Sequence, residues 1–579
     1  MFELDIVEAM RQVNEWESSN SSATPLRIKI FRNYSIEFIE PFLKYYFGTL
    51  GLRCEISFNG FDSLEQDICS AQDIGKYDLV ILSLTGDAFM TGRHEGNTAD
   101  TAFARLAGVV EQIQSRTPAP LVLNTLTRPL LNEGGAVYAI RPDSLTSRVE
   151  EFNCRLRALV SSKSPRCLLV DWERIVMLIG IEAAFDRRMD YMAAAPFRHV
   201  FLNLYAREIF RIGRMLRGLG KKCVIVDCDN TLWGGVVGEA GLDGIELNPY
   251  EYPGRAFYDF QHAVLRLADE GIMVALCSKN NADDVMAVLD KHPHCLIKRD
   301  HLVGSRVNWD DKERNIQELV TDLNIGMDAV VVVDDSPLEC ARIKAFLPNI
   351  SVRPVPEKLH ELALLLDREG LFDKLTTTKE DLARTEMYRG EEKRRETAKA
   401  FATADEFLAS LDIRAQIRAA KRADIARISQ LTQKTNQFNL TTRRYSEGEI
   451  EHMAAADDCA VYSLTARDRF GDLGLTGVFI ARRDGAGAHI DTLLMSCRVL
   501  GRRLEDQFVV ECLSNVNRRW RPTIWTAEYI KNSKNHQVAD FWPRLGFKVA
   551  ATEERKTIYS ANAAALELQP IPFITVETS

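Results

Sequence analysis

Two aspartates one residue apart, Asp227 and Asp229, close the apolar run Val224–Val226 in the stretch Cys223-Val-Ile-Val-Asp-Cys-Asp-Asn-Thr-Leu-Trp-Gly-Gly-Val-Val-Gly238. Side chains at i and i+2 of an extended segment point to one side. Two carboxylates therefore emerge together where a buried strand gives way to a loop, an arrangement for holding a hard cation and handling a phosphoryl group. The glycines Gly234, Gly235 and Gly238 let the backbone approach a ligand closely. Further along, Ser278-Lys279-Asn280 follows the run Met273–Cys277. A hydroxyl and backbone amides at a strand's carboxyl end can hold phosphate oxygens. Lys312, in Asn308-Trp-Asp-Asp-Lys312, can neutralise phosphate charge and orient the attacking acid. A last run, Val330–Val333, ends in Asp334-Asp335-Ser-Pro-Leu-Glu339, which adds hard oxygen ligands. Three parallel strands would present all of these groups along one carboxyl edge. Thr231 and Asn280, beside the acids, are candidate substrate contacts.

The elements that must position these groups are α/β in character. Short apolar runs at Ile28–Phe31, Cys54–Phe58, Leu79–Leu84, Leu121–Asn124 and Cys167–Val170 alternate with amphipathic stretches such as Glu37–Leu50 and Ala99–Ser115. That rhythm predicts a parallel sheet covered by helices. A helical stretch from Ala195 to Gly218 leads to a second α/β unit with strands at Cys223–Val226, Met273–Cys277 and Ala329–Val333. The segment 356–411 is dense in charge, as in Arg389-Gly-Glu-Glu-Lys-Arg-Arg-Glu396, and reads as a solvated helical linker. A final α+β unit begins near Ile413, with strands at Cys459–Leu464, Thr476–Ala481 and His489–Met495 and a helix from about Leu504. The expected division is 1–219, 220–355, 356–411 and 412–579. A chain of 579 residues is too long for one core.

Composition excludes several classes. With 46% hydrophobic and 27% charged residues the chain is ordinary globular protein, and its net charge of −9 argues against a general nucleic-acid surface. The 12 cysteines form no Cys-x-x-Cys pair. The first twenty-five residues carry charges throughout, without the apolar core of a signal sequence, and no apolar run is long enough to span a membrane. Reduced thiols in the cytosol are expected.

The order and chemistry of the four motifs resemble the haloacid dehalogenase superfamily. The resemblance implies Asp227 as the nucleophile that forms an aspartyl phosphate and Asp229 as the general acid and base. It implies Ser278 and Lys312 as phosphoryl-gripping groups and a Mg2+ site that involves Asp227, Asp229, Asp334 and Asp335, the second acid through its backbone carbonyl. A carboxylate at Asp229 can activate water, which favours phosphatase chemistry over storage of the intermediate. The gaps between motifs leave room for little beyond a helix and a strand, so no large lid is expected and the site stays open to bulky partners.

The words around the motifs are more specific. Asp229-Asn-Thr-Leu-Trp-Gly-Gly-Val-Val-Gly-Glu239, Cys277-Ser-Lys-Asn280, Leu431-Thr-Gln-Lys-Thr-Asn-Gln-Phe-Asn-Leu-Thr-Thr-Arg443, Asp468-Arg-Phe-Gly-Asp472 and Ser496-Cys-Arg-Val-Leu-Gly-Arg502 resemble the FkbH-like family from about Gly220 to Phe547. Cys228 stands where that family usually has leucine. The resemblance implies a bifunctional glyceryl transferase/phosphatase of polyketide biosynthesis. Such an enzyme dephosphorylates D-1,3-bisphosphoglycerate and loads the three-carbon unit as a thioester on the phosphopantetheine arm of an acyl carrier protein. The mixed anhydride is an activated acyl donor and a thiolate its natural acceptor. Cys497, flanked by Arg498, Arg502 and Arg503, is the candidate acyl-carrying thiol, with Cys277 as runner-up.

The outer units carry resemblances of their own. Ile413 to about Tyr559 is similar to N-acetyltransferase-type (GNAT) folds, whose pyrophosphate-binding turn here reads Arg498-Val-Leu-Gly501-Arg502-Arg503. Arg498, Gly501 and Arg502 are the implied ligand contacts. Arg503 in place of a small residue counts against ordinary coenzyme A. Ser533-Lys534-Asn535 and Phe541–Phe547 match that fold's last helix and strand, with Asn535 as a possible ligand contact or helix cap. The first unit resembles an SGNH-hydrolase-like, flavodoxin-like sheet. It lacks Gly-Asp-Ser and Asp-x-x-His, so a scaffold or carrier-docking role is expected. Two alternatives stay open: a phosphatase on another substrate fused to a coenzyme A-dependent acyltransferase, or an assembly-line scaffold.

Overall fold

The computed structural model describes residues 4–577 apart from 21, 61–63, 71–72, 87–98, 131–140, 143, 368, 402, 497–498 and 533, and within 376–399 it describes only Met387, Gly390, Arg394 and Thr397. The chain forms two compact units, Met1–Arg214 and Met215–Ser579. The first holds a five-stranded parallel sheet of β1 (Thr24–Arg32), β2 (Leu52–Phe58), β3 (Leu79–Ser83), β4 (Leu121–Asn124) and β5 (Cys167–Val170), in the order β2-β1-β3-β4-β5. The inner strands β3 and β4 are buried throughout, as β-branched and leucine runs covered on both faces must be.

The second unit contains two sheets. One is parallel: β6 (Cys223–Val226), β7 (Met273–Ser278), β8 (Leu302–Val307), β9 (Val330–Asp334) and β10 (Ser351–Pro354), in the order β10-β9-β6-β7-β8. Alternation along β6 sends Val224 and Val226 into one core with Phe257, Phe260 and Val264, and Cys223 and Ile225 into another with Ile316, Leu319 and Ile343. The helix Gly254–Asp269 supplies the first set at i, i+3, i+7 and i+10 through Phe257, Phe260, Val264 and Leu267, a stripe along one side. Cys228 lies in the same core as Val224. Between motifs one and two the chain also has a short helix, Val237–Ala240, and a bridge between Gly234 and Glu246.

The other sheet is mixed. It comprises β11 (Ile413–Ala419), β12 (Phe438–Asn439), β13 (Cys459–Asp468), β14 (Gly471–Asp484), β15 (Gly487–Met495), β16 (Ile524–Ile530), β17 (Lys548–Thr552), β18 (Lys556–Asn562) and β19 (Ile574–Glu577). The order is β17-β18-β16-β15-β14-β13-β11-β19. A bulge at Asp491 breaks the register of β15 against β14. The central pair β15 and β16 is parallel, but only Ala488–Ile490 pairs with Trp525–Ala527. Beyond those residues the two strands part. Phe541–Arg544 is a helical turn, and the strand expected to end at Phe547 lies further on, at Lys548–Thr552.

This mixed-sheet domain meets the parallel sheet of the second unit at that sheet's amino edge. Lys222, just before β6, donates to the Lys434 carbonyl at 3.4 Å, and Lys534 pairs with Asp328, just before β9, at 2.6 Å. The motif acids lie at the opposite, carboxyl edge. Among the described residues no helix is long and apolar enough to cross a membrane.

Candidate active site

The carboxyl ends of β6, β7 and β9 bring the motif residues together. Asp227 follows β6, with its amide bonded to the Val333 carbonyl of β9 at 3.0 Å. Asp334 closes β9, and its Oδ1 accepts the Ser336 amide at 3.0 Å. Lys312 opens the helix Lys312–Asp322 and reaches both acids, at 3.0 Å from Asp227 Oδ1 and 2.5 Å from Asp334 Oδ2. The contact to Asp227 is an ion pair without hydrogen-bond alignment, so Oδ1 is buried with no well-directed donor. Ser278, buried at the end of β7, donates to Asp227.

Asp227, Asp334 and Asp335 can each place an oxygen within 4.8 Å of the others. Burial holds all three carboxyls above the usual carboxylate range. The Asp227 charge adds to this at Asp334, and the Asp334 charge adds to it at Asp335, while Lys312 opposes it at each. Burial alone would push the Lys312 ammonium down, yet the two acids hold it above the usual lysine range. Three carboxylates against one ammonium leave two negative charges in a buried pocket. An all-oxygen donor set with that excess, and an oxygen lacking a directed donor, fits a hard divalent cation.

Asp229 is placed otherwise. Its Oδ1 accepts the Trp233 indole N–H at 2.8 Å and the Val237 amide at 3.2 Å, and its Oδ2 accepts Asn280 Nδ2 at 2.7 Å. The Asp229 carboxylate is therefore not one of the clustered carboxylates. Its backbone carbonyl is the part the family resemblance offers to a metal. Asn280, expected on the substrate, holds the Asp229 carboxylate. The Thr231 hydroxyl is fully buried beside these groups without a partner among the described residues. Two supporting residues escaped attention although both stand in the motif already quoted. Trp233 steers Asp229, and Asn230, held at φ +52°, accepts the Gly235 amide at 2.9 Å and bonds Asp335. Gly235 itself has φ +87°, a backbone state that favours glycine.

Cys277, the runner-up thiol, is buried, and burial pushes it up to about 12. Cys497 and Arg498 lie outside the described residues. Gly501 has φ +78°, and Arg503, the residue before the helix Leu504–Trp520, has φ +58°. Arg502, expected on the ligand, is buried, with Nη1 3.7 Å from Asp468 Oδ2. Asn535 is fully buried and donates to the Asn439 and Ile530 carbonyls, both at 2.9 Å. The linker is not solvated throughout: Arg394 is buried against Asp468.

The gap between β15 and β16 is filled by the chain itself. β12 pairs with Leu494 and Met495, the Leu440 amide donates to the Leu493 carbonyl at 3.2 Å, and the Ile530 amide donates to the Leu440 carbonyl at 2.8 Å. Arg443 then spans the two strands, with Nη1 2.6 Å from Asp491 Oδ1 and Nη2 2.7 Å from Glu528 Oε2. An amide-bearing arm binds by pairing with a free strand edge. Here that edge is already used.

One acid in this domain titrates near neutrality. Glu505 is buried, its Oε2 lacks a partner among the described residues, and burial lifts its carboxyl to about 7. A folded-state pKa above the unfolded one favours the native chain at low pH, and that advantage disappears as pH rises from about 4.5 to about 7. Glu505→Gln is therefore expected to gain up to about 3 kcal/mol over the wild type at pH 8 relative to pH 4.5. Urea unfolding followed at both pH values measures this difference.

In the first unit the described residues assemble no Ser-His pair. The Ser35 hydroxyl donates to the Ala193 carbonyl at 2.6 Å, and exposed His199 lies against Phe38. Asn124 joins the ends of β3 and β4 through the Leu84 amide and carbonyl.

The parallel sheet of the second unit, with this constellation at its rim, is a phosphatase domain of the haloacid dehalogenase type. Residues 222–351 match the family of NLI interacting factor-like phosphatases (NIF). The chain is similar in fold to the crystal structure of the N-terminal part of protein BF1531 from Bacteroides fragilis, which contains a phosphatase domain complexed with Mg. The two share 22% identity at a TM-score of 0.59, over 64% of this chain and 100% of that one. Over 26% of the chain there is also likeness to the ribosomal-protein-S18-alanine N-acetyltransferase of Escherichia coli, of which 94% is covered, at 12% identity and a TM-score of 0.21. The PaiA N-acetyltransferase of Thermoplasma acidophilum, in complex with coenzyme A, aligns over 26% of this chain and 98% of its own, at 14% and 0.20. No curated protein matches the chain.

Proposed function

We propose that this chain is an FkbH-like bifunctional glyceryl transferase/phosphatase. It dephosphorylates the three-carbon unit of D-1,3-bisphosphoglycerate and loads the glyceryl group as a thioester on an acyl carrier protein in polyketide biosynthesis. The convergence of Asp227, Asp334 and Asp335, with Lys312 paired to the first two, carries the phosphatase half of the reading. Asp227 is the nucleophile: its Oδ attacks phosphorus while Lys312 and Ser278 hold the phosphoryl oxygens. Asp229, fixed by Trp233, Val237 and Asn280, gives a proton to the departing alkoxide and later takes one from water. Asp227, Asp334 and Asp335, with the Asp229 carbonyl, would hold Mg2+. The ion supplies charge neutralisation for the phosphoryl group. Cys497 is the proposed acyl-carrying thiol.

The transferase half rests on the family motifs quoted above, and Arg503 in place of a small residue in the Arg498-Val-Leu-Gly501-Arg502-Arg503 turn weighs against the alternative of a coenzyme A-dependent acyltransferase. Intact-mass analysis tests the proposal. The full chain is incubated with D-1,3-bisphosphoglycerate, Mg2+ and a phosphopantetheinylated carrier protein. A glyceryl adduct on the carrier is expected, lost on chelation with EDTA and in Cys497→Ala. Phosphate release without an adduct would support the narrower phosphatase, and neither product would support a scaffold.

A further inference from the structure

We propose that Lys279 and Glu339 form the leaving-group subsite of the phosphatase centre, fitted to the acyl oxygen and adjacent hydroxyl of a phosphorylated hydroxy acid. The proposal rests on the phosphatase reading of that centre. Lys279 Nζ donates to Glu339 Oε1 at 2.9 Å. Lys279 belongs to the loop after β7, and Glu339 to the first turn of the helix Pro337–Phe346 after β9. β6, which Asp227 follows, lies between β7 and β9 in the sheet. An ion pair that joins the elements on either side therefore bridges the end of the strand that bears the nucleophile. It stands at the same rim as Asp227, where the group that leaves phosphorus must lie.

Both partners are tied to the site acids. Ser278, just before Lys279, donates to Asp227, and Asn280, just after it, donates to Asp229 at 2.7 Å. The loop is pinned again by the Asn281 amide on Asn280 Oδ1 at 2.9 Å and by the Trp309 indole on Asn281 Oδ1 at 3.2 Å. Glu339 gives its amide to Ser336 Oγ at 3.4 Å, and the Ser336 amide holds Asp334 Oδ1 at 3.0 Å. The pair also keeps hydrogen-bonding capacity unused. Glu339 is 9% exposed, and its Oε2 has no partner among the described residues. A buried carboxylate oxygen without a donor is unfavourable until a hydroxyl reaches it. An ammonium has three N–H donors, of which Glu339 takes one, and the Lys279 side chain is 27% exposed. One open acceptor beside one reachable cation matches a hydroxyl next to an acyl oxygen, whether that oxygen belongs to a carboxylate, an anhydride or a thioester. A plain aryl phosphate offers neither.

Steady-state hydrolysis by the full chain of 3-phosphoglycerate, glycerol 3-phosphate, 3-phosphonooxypropanoate and p-nitrophenyl phosphate tests this. Glycerol 3-phosphate lacks the acyl oxygen, 3-phosphonooxypropanoate lacks the hydroxyl, and the aryl ester is the reference that lacks both. The wild type is expected to favour 3-phosphoglycerate over each of the first two analogues by about tenfold or more in kcat/KM. Lys279→Met should remove the preference over glycerol 3-phosphate, and Lys279→Arg, which keeps a cation there, should retain most of it. Glu339→Gln, left with a weaker neutral acceptor, should reduce the preference over 3-phosphonooxypropanoate. Circular dichroism checks the fold, and the wild-type preferences and Lys279→Arg still read the subsite if Lys279→Met does not fold. Losses of equal size on all four substrates would make the pair structural and overturn the proposal, as would a wild type without either preference. No hydrolysis of any probe would refute the phosphatase reading and the proposal with it. A chain that shows both preferences yet loads no carrier would leave the proposal standing and refute the loading reaction.

Discussion

Asp227→Asn is expected to lower phosphate release by at least ~10^3-fold while the fold persists. The amide is nearly isosteric with the carboxylate, so the packing at the end of β6 survives. It has no negative oxygen with which to attack phosphorus or to complete a cation site with Asp334 and Asp335. The amide also relieves part of the charge crowding in the pocket, where burial already works against the ionised acid. Folding stability should therefore hold or rise slightly as activity disappears. Single-turnover release of phosphate from p-nitrophenyl phosphate, with circular dichroism as the control, measures both. Turnover within tenfold of the wild type would refute the nucleophilic role.

Lys312→Met is expected to be the more damaging change to the molecule as a whole. The ammonium is buried and lies within 3.0 Å of two carboxylates that have no other cation so close among the described residues. Breaking a buried ion pair from one side leaves uncompensated charge and costs about 3–5 kcal/mol. Loss of a preorganised cation at the phosphoryl group should lower turnover by about 10^2–10^3-fold. The two effects can be separated with Mg2+. If the acids form a cation site, added Mg2+ should recover more stability in the variant than in the wild type, without recovering the rate. Urea unfolding with and without the ion, beside the phosphatase assay, reads this out. A variant as stable as the wild type without Mg2+ would contradict the charge count.

The parts legible in the sequence are those where one residue's chemistry or a continuous apolar run decides the outcome. β6, β7 and β9 are buried along their whole length, so they read as uninterrupted valine, leucine and alanine runs. The groups at their carboxyl ends followed directly. β8, Leu-Val-Gly-Ser-Arg-Val, has one covered residue at its start and otherwise half-exposed ones, and β10 is a four-residue edge strand ending in proline. Neither carries a strong pattern. β17 is exposed along its length and offers no alternation to detect. Contacts between loops were harder still. Nothing in the order of residues says that Trp233 folds back on Asp229, or that Arg502 of an Arg-Arg pair turns inward while Arg503 turns out. Arg394 read as one more charge in a solvated stretch because its partner, Asp468, is 74 residues away.

The meeting of the mixed-sheet domain with the amino edge of the phosphatase sheet has a consequence for traffic. Asp227 opens on the far rim, beyond the length of β6, roughly 13 Å for four residues of extended chain. A group released there leaves at the rim opposite the one that meets the neighbouring domain. Any molecule that visits both centres must either diffuse around the protein or stay tied to a flexible leash long enough to reach both rims, and a small acyl unit left untethered would be diluted and lost to competing hydrolysis.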